Sequence, residues 1–425
     1  MFKTLRDAWK VKEIRDRMLF TLFCLFIFRL GSHIPAPFID KAEIAKIFES
    51  AGQSVLGFLD LMAGGSLSNM SIFAMNIYPH ITASIIIQLL AVAIPSLEEM
   101  AKDGEEGRRK LNKVTRITGV ALALIQAIGT VYGLYRNAIT ATTFIQHALI
   151  IVTLVAGTSF LVWLGDTITE KGVGNGISLI IFIGIVARMP QSIMQNIALA
   201  KAGVTSWISV ILYFIILIAI VAFVVLIQEG ERRVPVQYAK RVVGRRVYGG
   251  QATHIPIKVN MASVMPVIFA STFMQIPGTI ALFTKGGFSD FLRKWMSADG
   301  NTVGFWIYFV INFALIIFFT YFYNAIQFNT VEYAKNIQSQ GGFIPGIRPG
   351  KPTSQYLSRT VNRITFVGGL ALAILSSLPL LLAHFSHLNV GFQGTGIIIV
   401  VGVALETVKQ IEAQMTMRHY KGFLG

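Results

Sequence analysis

The chain has 425 residues, of which 54% are hydrophobic and 14% charged, against about a quarter charged in an ordinary soluble protein. Its formal net charge is +16, and a single cysteine, Cys24, excludes an internal disulfide and a cysteine-based metal site. This composition excludes a water-soluble domain with a polar surface, so the placement of the basic residues matters more than their number.

Residues 1–18 are too rich in charge for a removable signal peptide, and they lead into the first of ten apolar runs. The runs lie at 19–34, 72–94, 117–135, 148–166, 173–193, 207–228, 262–283, 304–328, 364–384 and 394–411. Each is long enough as a helix to cross a hydrocarbon core about 30 Å thick, which predicts an all-α integral membrane protein. With the amino terminus inside, 28 of the 37 Lys and Arg fall on the inner side, counting Lys409 near the inner end of the last run, eight on the outer, counting Arg188 toward the outer end of the fifth, and Arg29 within the first span. The excess of positive charge inside places both termini in the cytoplasm.

Between the first two runs lies a broken apolar stretch, Val55 to Leu67, that is too short to cross and carries Gly64 and Gly65 near its end. Read by itself it is either an amphipathic helix on the outer surface or a half-helix dipping into a protein-lined cavity. Several spans are expected to be interrupted: by Pro79, by Gly172, Gly174 and Gly176, by Pro266 and Pro277, and by Gly391, Gly394 and Gly396. Two long inner loops stand out. The loop at 229–258 alternates Val with polar residues and predicts a projecting hairpin, and the loop at 329–363 holds Arg348 between Pro-Gly turns.

The chain contains no phosphate-binding Gly-Lys-Ser/Thr loop, no His-Glu-x-x-His helix and no Gly-x-Ser-x-Gly elbow, so neither catalysis nor a cofactor is expected. The seven histidines are scattered, and His80 alone lies well inside a span. Arg29 reads as the one clearly embedded charge, with Asp166 and Glu406 close to inner span ends, which speaks against an ion-coupled secondary transporter, the alternative reading.

Several segments, in this order, carry a resemblance that runs nearly end to end. They are Phe28-Arg29-Leu30-Gly31 with Ile34-Pro35-Ala36-Pro37, Ile81-Thr82-Ala83-Ser84-Ile85-Ile86-Ile87-Gln88, Gly104-Glu105-Glu106-Gly107-Arg108-Arg109-Lys110, and Gly172-Val173-Gly174-Asn175-Gly176-Ile177-Ser178. Tyr238-Ala239-Lys240-Arg241, Lys258-Val259-Asn260-Met261-Ala262 and Pro345-Gly346-Ile347-Arg348-Pro349-Gly350 complete the pattern. The chain resembles the bacterial SecY family, the channel subunits of the Sec protein translocon.

That resemblance implies two inverted five-helix halves around a central pore: residues 19–195 with spans one to five, and 196–411 with spans six to ten, between a cytoplasmic segment 1–18 and a tail 412–425. It maps a pore ring onto Ile77, Ile81, Ile177, Ile181, Ile268 and Ile399, which the residues alone leave as ordinary packing isoleucines. It maps a sealing plug onto residues 55–70, with Leu56, Gly57, Phe58, Leu59, Leu61, Met62, Gly64, Gly65 and Leu67. Gln88, Thr115, Thr118 and Gln275 are placed near a lateral gate through which hydrophobic segments reach lipid, with polar glue between ordinary helices as the plain alternative. Arg348, Arg245, Arg246, Lys240 and Arg241 are expected to dock the SecA motor or a translating ribosome. The implied partners also include SecE, SecG, signal sequences, unfolded preproteins and membrane lipid.

Overall fold

The computed structural model describes residues 2–51, 60, 63–203, 206–238, 241–243, 246–248, 252–283, 286–295, 302–386 and 394–421. Each of the ten expected spans falls on a helix: α2 (Lys12–Gly31), α4 (Tyr78–Ala93), α6 (Gly104–Gly129), α7 (Phe144–Lys171), α8 (Gly176–Lys201), α9 (Trp207–Glu229), α10 (Met265–Phe283), α12 (Thr302–Gln327), α14 (Lys351–Ser386) and α15 (Gly394–Lys421). The shorter α1 (Phe2–Lys10), α3 (Lys41–Ala51), α5 (Pro95–Lys102), α11 (Gly287–Trp295) and α13 (Thr330–Ser339) stand before and between them.

Among the described residues six helices are long and apolar enough to cross a membrane by themselves, or seven if α4 and α5, bent by 107° at Ile94, count as one. The shorter apolar part of α10, Met265–Ala281, adds another candidate. α2 and α15 are diluted by charge: Lys12, Glu13, Arg15, Asp16 and Arg17 open the first, and Glu406, Lys409 and Glu412 lie late in the second. Several helices outrun their apolar stretches. α14 begins at Lys351 although its apolar run begins at 364, because helical hydrogen bonding continues beyond the part that lipid requires.

One expectation for the second span is corrected. Pro79 does not interrupt a helix but stands in the first turn of α4, where its missing N–H leaves no bond unmade. Residues 72–77, expected as helix, are turns, and the positive φ of Met70 (40°) and Asn76 (49°) takes the backbone out of the helical region. Pro266, also expected as a break, likewise stands in the first turn of its helix, α10; the breaks that do fall inside helices are Pro277 in α10, as expected, and Pro190 in α8 and Pro379 in α14. Gly391 lies outside the described residues.

Apolar surface faces outward as well as inward. On α9, Ile208, Leu212, Ile215 and Ile218 are 77%, 52%, 57% and 66% exposed, which water would penalise and lipid accepts. Inward, one apolar cluster joins Phe28 of α2, Ile81 of α4, Leu161 of α7, Ile181 of α8, Val224 of α9, Ile268 of α10, Phe319 of α12, Leu372 of α14 and Ile399 of α15. A second cluster packs Ala63, Leu67 and Met70 against Ala127 of α6, Tyr135, and Leu154 of α7.

Tyr135 is fully buried in this second cluster, and its hydroxyl donates to the Leu67 carbonyl at 2.9 Å. The same carbonyl also accepts from the Met70 N–H at 2.9 Å, so replacing Tyr135 by Phe removes one of its two bonds and is expected to cost about 0.5–1.5 kcal/mol, read as a lowered thermal unfolding transition in detergent.

At one end of the bundle Ala8 of α1 packs with Ile411 of α15, and Lys409 pairs with Glu229 at 2.8 Å where α9 enters the first long loop. That loop forms the expected hairpin. β1 (Glu231–Tyr238) runs antiparallel to β4 (Ala252–Lys258) with Val234 opposite Ile255, and β2 (Arg241–Val243) pairs with β3 (Arg246–Tyr248) between them in sequence. β5 (Gly342–Phe343), from the second long loop, adds to the other edge of β1 with Gln237 opposite Phe343. Val234, Val236, Ile257, Ile337, Ile344 and Leu357 bury against one another beneath the sheet, so the two loops form one platform.

Candidate functional site

The six isoleucines come from four helices into the first cluster. Ile77 is the N-cap residue of α4 and fully buried; Ile81, Ile181, Ile268 and Ile399 are buried, and Ile177 packs partly buried against the same cluster. Asn175 positions the last of these, because its side chain accepts from the Ser178 N–H at 3.1 Å and starts α8. The lining is aliphatic and β-branched, with stiff side chains and no hydrogen-bonding group for water.

Leu56, Gly57, Phe58, Leu59, Leu61 and Met62 lie outside the described residues; Gly64, Gly65 and Leu67 lie within them. From Ala63 to Ile77 the chain is a run of turns apart from one bridge residue, Ser71, facing Pro35. Leu67 packs in the second cluster and not with the isoleucines. Gly64 instead packs on α8, where its φ of +64° and the close backbone leave no room for a side chain: a Cβ there would stand 2.8 Å from the Gly184 Cα. Gly184 lies three residues from Ile181, on the same face of α8.

Polar groups hold this segment. Arg29 Nη1 donates to the Gly64 carbonyl at 2.7 Å, which gives that embedded cation a partner. Arg29 is also not the only charge of its kind, as the sequence suggested. Arg188 of α8, with its side chain 21% exposed, pairs through Nη2 with the buried carboxylate of Asp60 and donates to Ser68 Oγ at 2.6 Å. Asp60 and Arg188 escaped the sequence reading because each is unremarkable alone; an acid in an apolar stretch and a cation near a span end were the available signals.

Of the four gate residues, Gln88 makes a bond between helices, accepting from the Tyr323 hydroxyl of α12 at 3.1 Å. Gln275 of α10 is 2% exposed with neither amide atom hydrogen-bonded. Thr115 donates to Leu111 of its own helix at 3.0 Å, and Thr118 is half-buried on α6. The seam of α4 with α10 and α12 is instead closed by two tyrosines that the sequence did not single out. Tyr323 is one, and Tyr78, whose hydroxyl donates to the Thr272 carbonyl at 3.2 Å, is the other. His80 lines a cavity of about 190 Å³ with Arg116, Thr158 and Ser159, and Arg116 pairs with Asp166 at 3.0 Å.

On the platform, Arg348 is exposed. Its turn is anchored by buried Ile344, by Ile347 N–H donating to the Ile344 carbonyl at 3.0 Å, and by Thr353 Oγ1 donating to the Arg348 carbonyl at 2.9 Å. Gly346, with φ +80°, supplies the left-handed position that this turn needs. Arg241 and Arg246 lie in β2 and β3, whereas Lys240 and Arg245 lie outside the described residues.

Comparison with known proteins shows the family and the fold. The protein translocase subunit SecY of Thermotoga maritima is 43% identical over all of this chain and 98% of its own length. Two solved structures share the fold. One is described as showing that the plug domain of SecY stabilises the closed state of the translocation channel and maintains a membrane seal (TM-score 0.64, 18% identity, 95% of this chain and 92% of that one). The other is Sec61 in the canine ribosome-channel complex from the endoplasmic reticulum (TM-score 0.61, 17% identity, 95% and 93%). The SecY family model matches residues 71–408, and with it and the full-length relative together, the chain belongs to the SecY family.

Proposed function

We propose that the protein is the protein-conducting channel of a bacterial cell-membrane translocon, with both termini cytoplasmic. It passes unfolded preproteins through a central pore between residues 19–195 and 196–411, and releases hydrophobic segments sideways into lipid. The observation that carries this reading is the meeting of six isoleucines from four helices in one apolar cluster, with the Gly64 turn seated three residues from Ile181. A narrow aliphatic collar excludes water and ions at rest yet flexes around a passing chain. Residues 55–70 act as the plug above it, and the tyrosine-bonded seam of α4 with α10 and α12 acts as the lateral gate.

The conduit is passive and hydrolyses nothing, so the work comes from a SecA motor or from a translating ribosome docked on the platform around Arg348. SecE and SecG are its membrane partners. The translocase relative and the ribosome-bound structural neighbour support a translocon role and a docked ribosome.

The deciding experiment reconstitutes the full-length chain with SecE in liposomes and compares it with a variant lacking residues 57–68. The expected result is SecA- and ATP-dependent uptake of a signal-bearing preprotein by the wild type, and a resting ion conductance raised about tenfold or more by the deletion. No preprotein uptake together with unchanged conductance would overturn the reading.

A further inference from the structure

Two arginines from two different helices converge on Asp60 and on the turns that begin at Ala63. Arg29 of α2 donates to the carbonyl of Gly64, and Arg188 of α8 pairs with Asp60, only four residues earlier in the chain. The turns are closed by the same acid. Asp60 Oδ1 accepts from the Ser68 N–H at 2.7 Å, the Asp60 carbonyl accepts from the Gly65 N–H at 2.9 Å, and Oδ2 faces Arg188. Arg188 Nη2 completes the link by donating to Ser68 Oγ at 2.6 Å. Asp60 is 5% exposed, and Gly65 lies against the guanidinium so closely that a Cβ would stand 3.0 Å from Arg188 Nε.

A carboxylate buried to this degree is tolerated because it is paired and hydrogen-bonded, and removing either partner leaves an uncompensated buried charge. Burial of Ala63 and Leu67 in the second cluster and the Tyr135 hydroxyl on the Leu67 carbonyl also hold this segment, but apolar contact is non-directional, whereas an ion pair fixes one position against α8. A directional ion pair therefore sets where the turns sit and how readily they leave.

We infer that Asp60 and Arg188 form an ionic latch that holds Asp60 and the turns at 63–68 seated against α8, with Arg29 as a second tether, and that its rupture is a step in opening the channel. Asp60 and Arg188 are thus positioning residues for the seal. The inference rests on reading residues 55–70 as the plug, and it adds what retains the plug and through which atoms. It also accounts for Arg29, which the sequence left without a role.

The test uses the full-length chain with SecE in liposomes and reads resting ion conductance for Asp60→Asn, Arg188→Gln, the double variant and Arg188→Lys. Each neutralising single variant is expected to raise conductance about tenfold, and the double variant to leak no more than either single one, as coupling through one pair requires. Arg188→Lys, which keeps the charge but not the fork, is expected to leak less than Arg188→Gln. Thermal unfolding of each variant is read in parallel, because a merely structural pair would lower the transition without raising the leak, and that result overturns the latch. Singles that leave conductance at the wild-type level, or a double variant whose leak is the product of the two, also overturn it. If the singles are silent while deletion of residues 57–68 leaks, the latch fails and the plug reading stands. If the deletion is silent as well, the plug reading fails with it.

Discussion

Replacing Ile77, Ile181 and Ile268 together by Asn is expected to raise the resting ion conductance of the reconstituted channel by about tenfold or more. All three are at most 2% exposed, come from three helices and lie in the same apolar cluster. In the proposed reading their collar keeps ions out because a hydrated ion entering it would find no hydrogen-bond partner, and a narrow aliphatic passage holds no continuous water. Asn brings a carbonyl and an amide at each position, enough to support a water chain. A variant with Val at the same positions keeps the aliphatic lining and is expected to stay close to the wild-type conductance. The Asn variant buries new amides and should also unfold at lower temperature, so its elution as a single folded species is checked first. Wild-type conductance in a folded Asn variant would show that these residues are packing and not a seal.

Arg348→Glu is expected to lower SecA- and ATP-driven preprotein uptake by about tenfold or more, with Arg348→Lys falling between it and the wild type. The reason is geometric. The turn is held from below by Ile344 and by the Thr353 hydroxyl, so the guanidinium is presented in a set place and can pair with a carboxylate or phosphate through two parallel bonds. Because the side chain is exposed, the substitution should change stability by no more than about 0.5 kcal/mol. A charge reversal that loses uptake without lowering the unfolding transition therefore reports docking. Ribosome binding measured at two salt concentrations gives a second reading, since a contact to RNA phosphate that disappears reduces the salt dependence of affinity. Unchanged uptake and unchanged salt dependence would remove Arg348 from the docking surface.

The hairpin of the first long loop was legible because alternation of Val with polar residues is a local signal that the strand period explains. The addition of β5 to it was not. Gly342 and Phe343 carry no strand pattern of their own, and their pairing with Tyr238 and Gln237 is made by the shared apolar underside, which brings two distant loops together. The proposed gate shows the same division. Gln88 was picked as a polar residue in an apolar run, but its partner Tyr323 lies 235 residues away, and nothing near either residue announces the other. Thr115 looked equivalent and is not, because a threonine in a helix can satisfy itself on the carbonyl four residues back.

Sequence by itself determined that this chain lives in lipid and where its ten apolar runs lie, each of which falls on a helix, because lipid thickness and the cost of unsatisfied backbone act on each segment separately. Its ordered motifs were also enough to mark the family. Only the tertiary structure decided that Pro79 starts a helix after a run of turns, that Leu67 packs away from the isoleucines, and that Asp60 and Arg188, 128 residues apart, share one bond. The physical reason is that pairing of charges and seating of loops depend on distance in space, and in a bundle of long helices that distance is set by packing between segments that the linear order keeps far apart.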